Sequence, residues 1–106
     1  MSTCNWPLGN GETLEFTVYE PNATWNSVAG LYIFAYRTDA THCRALYVGQ
    51  TEDFSSRIPS HDRWHEAARR GATHIHALVV PLAATRDRWE EMLIQNLHPQ
   101  MNAQLR

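Results

Sequence analysis

Two short apolar runs joined by one polar turn constrain the fold of this chain more than any other feature. Leu31-Tyr32-Ile33-Phe34-Ala35-Tyr36 is apolar on both alternating faces, which predicts a strand covered on both sides. Thr38-Asp39-Ala40-Thr41-His42 is a polar turn, and Ala45-Leu46-Tyr47-Val48-Gly49 reads as the returning hairpin strand. After Gly49 the period changes. Thr51 can cap a first helical turn through Asp53 and Phe54, and Pro59 then interrupts the helix by removing a hydrogen bond and crowding the turn before it. Ser60 can restart it as an N-cap, with Trp64, Ala67 and Ala68 inward and Arg69-Arg70-Gly71 as the stop. Thr73 to Val80 is the next strand. A last helix opens at Ala84 or Thr85 and ends at His98-Pro99.

Upstream of the hairpin the signals are thinner. Residues 1–13, rich in Asn and Gly, read as a loose arm, and Leu14-Glu15-Phe16-Thr17-Val18-Tyr19 alternates as a short strand that Pro21-Asn22 ends. A chain of 106 residues fits one domain with one modest core, given 43% apolar content. The expectation is therefore an α+β domain: a small central antiparallel sheet of three strands flanked by helices, at residues 29–106. Residues 1–28 form an N-terminal arm that can carry an extra strand. No run of 18 apolar residues exists, so no membrane span is expected. The N-terminus MSTCNWPLGNGE lacks the pattern of a secretory signal, which makes cytoplasmic the expected location. Cys4 and Cys43 have no CxxC spacing and read as reduced structural thiols rather than a disulfide or zinc site.

Charge narrows the chemistry. All nine basic residues are arginine, so no lysine can act as base or phosphate ligand. The net charge of −2 gives little general affinity for nucleic acid, which is carried by phosphate neutralisation. A binder of this composition needs a local basic face or a partner. Arg57, Arg63, Arg69 and Arg70 outnumber Asp62 and Glu66 in one stretch, which reads either as a solvated helix face or as a phosphate-tracking groove.

The last helix adds an independent signal. Trp89, Met92, Leu93, Ile94 and Leu97 span its apolar arc, and Glu90 falls inside that arc whereas Glu91 and Gln95 fall outside. A carboxylate on a core-facing side is costly unless an arginine, a metal ion or a hydrogen-bond network compensates its desolvation. It is either a structural partner of an arginine or a functional group at a cleft edge. Tyr32 and Tyr47 each stand in a strand beside a glycine, at Gly30 and Gly49, where a ligand can approach closely. His61 and His65 have the i, i+4 spacing of metal ligands but no evident third partner; His61, near Arg57, is the better candidate for proton transfer or phosphate contact. His74 and His76 share one strand face and read as structural or rim residues, while His42 and His98 carry no signal.

Gly30-Leu31-Tyr32, then Tyr47-Val48-Gly49, then Arg57 ten residues after Tyr47, then Glu90-xx-Leu93-Ile94-xx-Leu97-x-Pro99-xx-Asn102 form an ordered set. Together they resemble the GIY-YIG nuclease family over about Ala29 to Asn102. The resemblance implies a three-stranded sheet flanked by helices and one divalent ion, Mg²⁺ with Mn²⁺ as a substitute. It implies Glu90 as the metal carboxylate, and Tyr32 or Tyr47 as the group that helps activate water. Arg57 would hold the scissile phosphate, His61 would assist proton movement and Asn102 would brace the site. Gly49, Gln50, Arg63, Arg69 and Arg70 are the expected substrate contacts, with DNA as the substrate. Gln50 stands where repair relatives often carry lysine, and Pro59 breaks a helix that is usually continuous. No appended DNA-binding domain is expected, so a separate targeting protein would supply target choice, and a homodimer would let one site per chain cut both strands. The other reading is a catalytically weak relative that binds nucleic acid or a protein.

Overall fold

The computed structural model describes residues 2–103. Five strands and four helices follow one another: β1 (Thr3–Pro7), β2 (Thr13–Tyr19), β3 (Gly30–Arg37), β4 (Cys43–Thr51), α1 (Phe54–Arg57), α2 (Trp64–Arg69), β5 (His74–Val79), α3 (Ala83–Leu97) and α4 (Gln100–Ala103). The strands form one antiparallel sheet in the order β1-β2-β5-β3-β4.

The class is α+β as expected, but the sheet has five strands rather than three. The three expected strands, here β5, β3 and β4, lie side by side, and the β1–β2 hairpin extends them by pairing β2 with β5. Residues 2–13 are accordingly no loose arm. Their Asn-Gly richness marks the turn of that hairpin, where Gly9 and Gly11 take φ of +90° and +92°. Trp6 in β1 is buried, and its indole N–H donates to Nδ1 of His76 in β5 at 3.0 Å. Pro7 is tolerated because β1 is an edge strand.

β3 is an interior strand between β5 and β4, and its side chains alternate between two cores, as its doubly apolar sequence requires. Leu31, Ile33 and Ala35 join Trp6, Phe16, Val48 and Leu93 under α3. Tyr32 and Phe34 join Leu46, Phe54, Ile58 and Met101 on the other face. β1 and β4 stand at opposite ends of the sheet, yet both contribute to the core under α3, so the sheet curls around that helix.

β4 departs from strict alternation. Phe34 pairs with Tyr47 and Ala35 with Ala45, so Leu46 is an extra residue in a bulge. As a result Leu46 and Tyr47, adjacent in sequence, both serve the α1–α2 face, while Ala45 and Val48 serve the α3 face. The bulge thereby puts Tyr47 on the same face as Tyr32.

Helix boundaries also differ from expectation. Asp53, not Thr51, is the N-cap of α1, its carboxylate accepting from the Ser55 amide at 2.9 Å; Thr51 supports it by accepting from the Asp53 amide. α1 stops before Pro59, and α2 begins only at Trp64, so Ser60 caps nothing and instead donates to the Ser56 carbonyl. His61 therefore lies in the connection between two short helices.

Candidate active site

Tyr32 is 1% exposed and points from β3 across its register partner Gly49. A Cβ at position 49 would lie 2.5 Å from both Cζ and Oη of Tyr32. Glycine is thus required there by a tyrosine on the next strand. Gly30 has a similar basis, since a Cβ would meet the Leu78 carbonyl and the Phe54 ring.

Tyr32 Oη lies 2.7 Å from Nε2 of His61, whose side chain is fully buried. The direction of this bond follows from the other ring nitrogen. Nδ1 of His61 is 3.0 Å from the Arg63 backbone N–H, which can only donate. Neutral His61 consequently carries its proton on Nε2 and donates it to Tyr32. The Arg57 guanidinium acts on the same phenol through its charge, opposing the effect of burial there. The phenol oxygen is thus an acceptor for His61, and its own proton is left to point elsewhere.

Tyr47 lies alongside, its ring 6.3 Å from Tyr32 and 5.4 Å from His61 between centroids. Burial raises the pKa of both phenols; Tyr47 and Glu90 push Tyr32 further upward, and Arg57 opposes the rise at each. Arg63 opposes it at Tyr47. Burial, then the Arg57 charge, lowers His61 to about 4, so this imidazole is neutral at physiological pH. Arg57 is half-exposed and also pairs with Asp62 at 3.3 Å. That exposed pair is worth little and a phosphate can displace it.

Glu90 approaches the same corner from α3. It is half-buried, as its place in the apolar arc foretold, and burial raises its pKa, with Asp87 adding to the rise and Gln50 opposing it. Its compensating partner is an amide, since Nε2 of Gln50 donates to Glu90 Oε1 at 3.0 Å and to Asp87 Oδ1 at 2.7 Å. No arginine pairs with Glu90 among the described residues.

Arg86 was not legible as part of this network. It is 4% exposed and its Nη1 donates to the Val80 and Pro81 carbonyls at 3.0 and 2.9 Å. Its Nε donates to Gln50 Oε1 at 3.3 Å, which orients the amide toward Glu90. The available signal was spacing: Arg86 precedes Glu90 by four residues, hence shares its helix face.

Asn102 buttresses the site from α4. Its Oδ1 accepts from the Val48 N–H and its Nδ2 donates to the Val48 carbonyl, both at 2.8 Å. The amide stands in for a neighbouring strand at the free edge of β4, between Tyr47 and Gly49.

Tyr32, Tyr47, Arg57, His61 and Arg63 therefore cluster, the charge of Glu90, held by Gln50, acts on both phenols, and Asn102 holds β4, which carries Tyr47, Gly49 and Gln50. The remaining two candidates do not join them. Arg69 is exposed, and Arg70 pairs with Glu66 at 2.9 Å and lines a separate groove of about 860 Å³ with Arg44, His42 and His98. His65 is exposed and lies on α2, whereas His61 precedes that helix, so the two do not form a helical ligand pair.

Among the described residues no three His, Cys, Asp or Glu side chains converge as a metal cage. The donor set fits Mg²⁺ in the manner usual for that ion, which takes one or two carboxylates and completes its shell with water and substrate phosphate. Glu90 offers its Oε2, free of partners among the described residues, next to Asp87. No protein-family model matches the chain, and neither a curated protein nor a solved structure matches it.

Proposed function

We propose that this protein is a divalent-metal-dependent DNA endonuclease of the GIY-YIG type, hydrolysing phosphodiester bonds at the corner formed by β3, β4 and α3. The observation that carries the reading is the Tyr32 hydroxyl, which accepts a hydrogen bond from neutral His61 and lies in the field of the Arg57 guanidinium, beside Tyr47 and Glu90. The His61 N–H and the Arg57 charge stabilise the phenolate that Tyr32 must first become, by losing its proton to solvent, before it can take a proton from water. Arg57 opposes the upward push of burial on that group, which stays raised on balance. Neutral His61 keeps the phenol in place without adding a charge. Arg57, already within reach of Tyr32, exchanges Asp62 for a phosphate oxygen and offsets charge that builds in the transition state. Glu90, directed by Gln50 and Arg86, would hold Mg²⁺, which when bound supplies Lewis acidity at the phosphate and at the leaving 3′ oxygen. Asn102 keeps the backbone at Tyr47 and Gly49 from shifting.

One observation favours a second reading, a nucleic-acid- or protein-binding module with little catalysis. Gln50 supplies no cation and occupies one oxygen of the Glu90 carboxylate. Nicking of supercoiled plasmid at low salt separates the two. Metal-dependent nicking by wild type, absent from Glu90→Gln, is expected. A folded wild-type protein that binds DNA but never nicks it, in Mg²⁺ or Mn²⁺, would leave the binding module as the reading.

A further inference from the structure

The two cysteines lie 39 positions apart in sequence, on strands at opposite ends of the sheet. The curl of the sheet nevertheless brings them together. In β1, Thr3 and Asn5 face solvent while Cys4 shares the inward face with buried Trp6. Cys43 opens β4 on the same side as buried Ala45, and both thiols pack on the core under α3. Trp6 and Cys43 line one groove, which is open to solvent. Trp6, two residues beyond Cys4 on the same strand face, meets Cys43 in that groove, Cys43 is the neighbouring group that acts on the Cys4 thiol, and both cysteines are free and only partly buried.

We propose that Cys4 and Cys43 are a modification site, a thiol pair that a hydroperoxide converts to an intramolecular disulfide linking the two outermost strands. The proposal stands apart from the nuclease reading, because neither thiol belongs to the corner around Tyr32. Cys43 lines the solvent-open groove and Cys4 does not, so a hydroperoxide meets Cys43 first; burial, then the neighbouring Cys43 thiol, pushes Cys4 up to about 12 and keeps its proton on it. The Cys43 sulfur attacks the terminal peroxide oxygen and the O–O bond breaks. The sulfur is oxidised by two electrons to a sulfenic acid, and water or an alcohol departs with the thiol proton. The Cys4 sulfur then attacks the Cys43 sulfur. The S–O bond breaks, and the hydroxyl leaves as water with the Cys4 proton. In sum, two thiols and one hydroperoxide give one disulfide, one water, and one alcohol or a second water.

The test treats the full chain with hydrogen peroxide and maps the non-reduced peptides. A Cys4–Cys43 cross-link in the monomer is expected, with Tm raised by several degrees and restored by dithiothreitol. In Cys4→Ser, dimedone should trap Cys43 as its sulfenic acid adduct. Because a substitution at a half-buried cysteine can disturb folding, a second measurement uses untreated wild type. Phenylarsine oxide, which bridges paired thiols, should bind once per folded chain. Peroxide products confined to intermolecular dimers or over-oxidised thiols would overturn the proposal, as would failure of the arsenical to bind the folded protein.

Discussion

The Tyr32 hydroxyl and the His61 imidazole, 2.7 Å apart, meet with the imidazole as donor, because the Arg63 amide already occupies Nδ1 of His61. Protonation of His61 would place a second N–H against that amide and a new charge beside Arg57. The folded state therefore resists the proton. His76 is in the same position, accepting the Trp6 N–H, with burial and then His74 lowering it to about 4.

A consequence for stability follows from these two histidines. Their folded pKa values lie below the unfolded value of 6.5, so the unfolded chain takes up protons first as the pH falls. Their stabilisation is complete above about pH 6.5 and is lost progressively toward pH 4, by up to ~1.4 kcal/mol per pH unit for each histidine. Urea midpoints measured from pH 7.5 to 4.5 should fall accordingly. His76→Gln retains an acceptor for Trp6 and should flatten about half of the slope. A wild-type midpoint that does not move over this range would contradict the arrangement.

Glu90→Gln tests the carboxylate with little change of shape. The variant keeps a carbonyl oxygen for Gln50 and removes a half-buried charge, so stability should hold or rise slightly. Cleavage should drop a hundredfold or more under the proposed function. Thermal melts with added Mg²⁺ give a second reading, since ion binding raises the wild-type Tm and should leave that of the variant unmoved.

How much of this arrangement could be read from the chain depends on distance along it. The β3–β4 hairpin, β5 and α3 were legible because each writes its own period in a few residues. Glu90 stood out because one carboxylate violated the apolar arc of its helix. β1 was illegible because its evidence is a contact over 70 residues, Trp6 to His76, and local composition there says only turn. Tyr47 and Leu46 share a face owing to a bulge, a register event between strands that alternation alone does not encode. Ser60 looked like a cap, but the chain uses residues 58–63 to seat His61, and packing of its ring against Tyr32 and Phe34 outweighed local helix propensity. Arg86 was hidden for a similar reason, as its partners are carbonyls in the β5–α3 connection and an amide on β4.

Arg86→Ala should therefore act on both stability and activity. The substitution leaves the Val80 and Pro81 carbonyls without their donor and releases Gln50 from its fixed orientation. Loss of about 2–4 kcal/mol is expected, the range for unsatisfied buried polar groups in a network. Cleavage by the fraction that remains folded, measured below its melting range, should fall by less than in Glu90→Gln. Equal loss in both variants would make Arg86 a direct participant rather than a positioning residue.

Gly49→Ala isolates the room that Tyr32 needs. The added methyl would overlap the phenol at 2.5 Å, and Tyr32 is too enclosed to retreat without disturbing His61. Overpacking of this kind costs about 1–3 kcal/mol. The companion Gly49→Ala/Tyr32→Phe removes the hydroxyl but not the ring contact at Cζ, so it should recover only part of the loss. Full recovery would mean that the hydroxyl alone creates the clash.

Asn102 makes the most discriminating case, because its two bonds to Val48 need one acceptor and one donor. Asn102→Ala should cost about 1–3 kcal/mol by leaving both backbone groups unpaired at a covered edge. Asn102→Asp keeps the acceptor for the Val48 N–H but sets an ionised oxygen against the Val48 carbonyl. Burial and that carbonyl both raise the pKa of the new carboxyl in the folded state. The sign then reverses relative to the histidines: the folded state takes the proton first, and the neutral acid can donate to the carbonyl. Acidification from pH 7 to 5 should therefore narrow the stability gap between Asn102→Asp and wild type, while the gap for Asn102→Ala stays constant. A gap for the aspartate variant that widens on acidification would show that Asn102 does not bridge Val48 in the manner described.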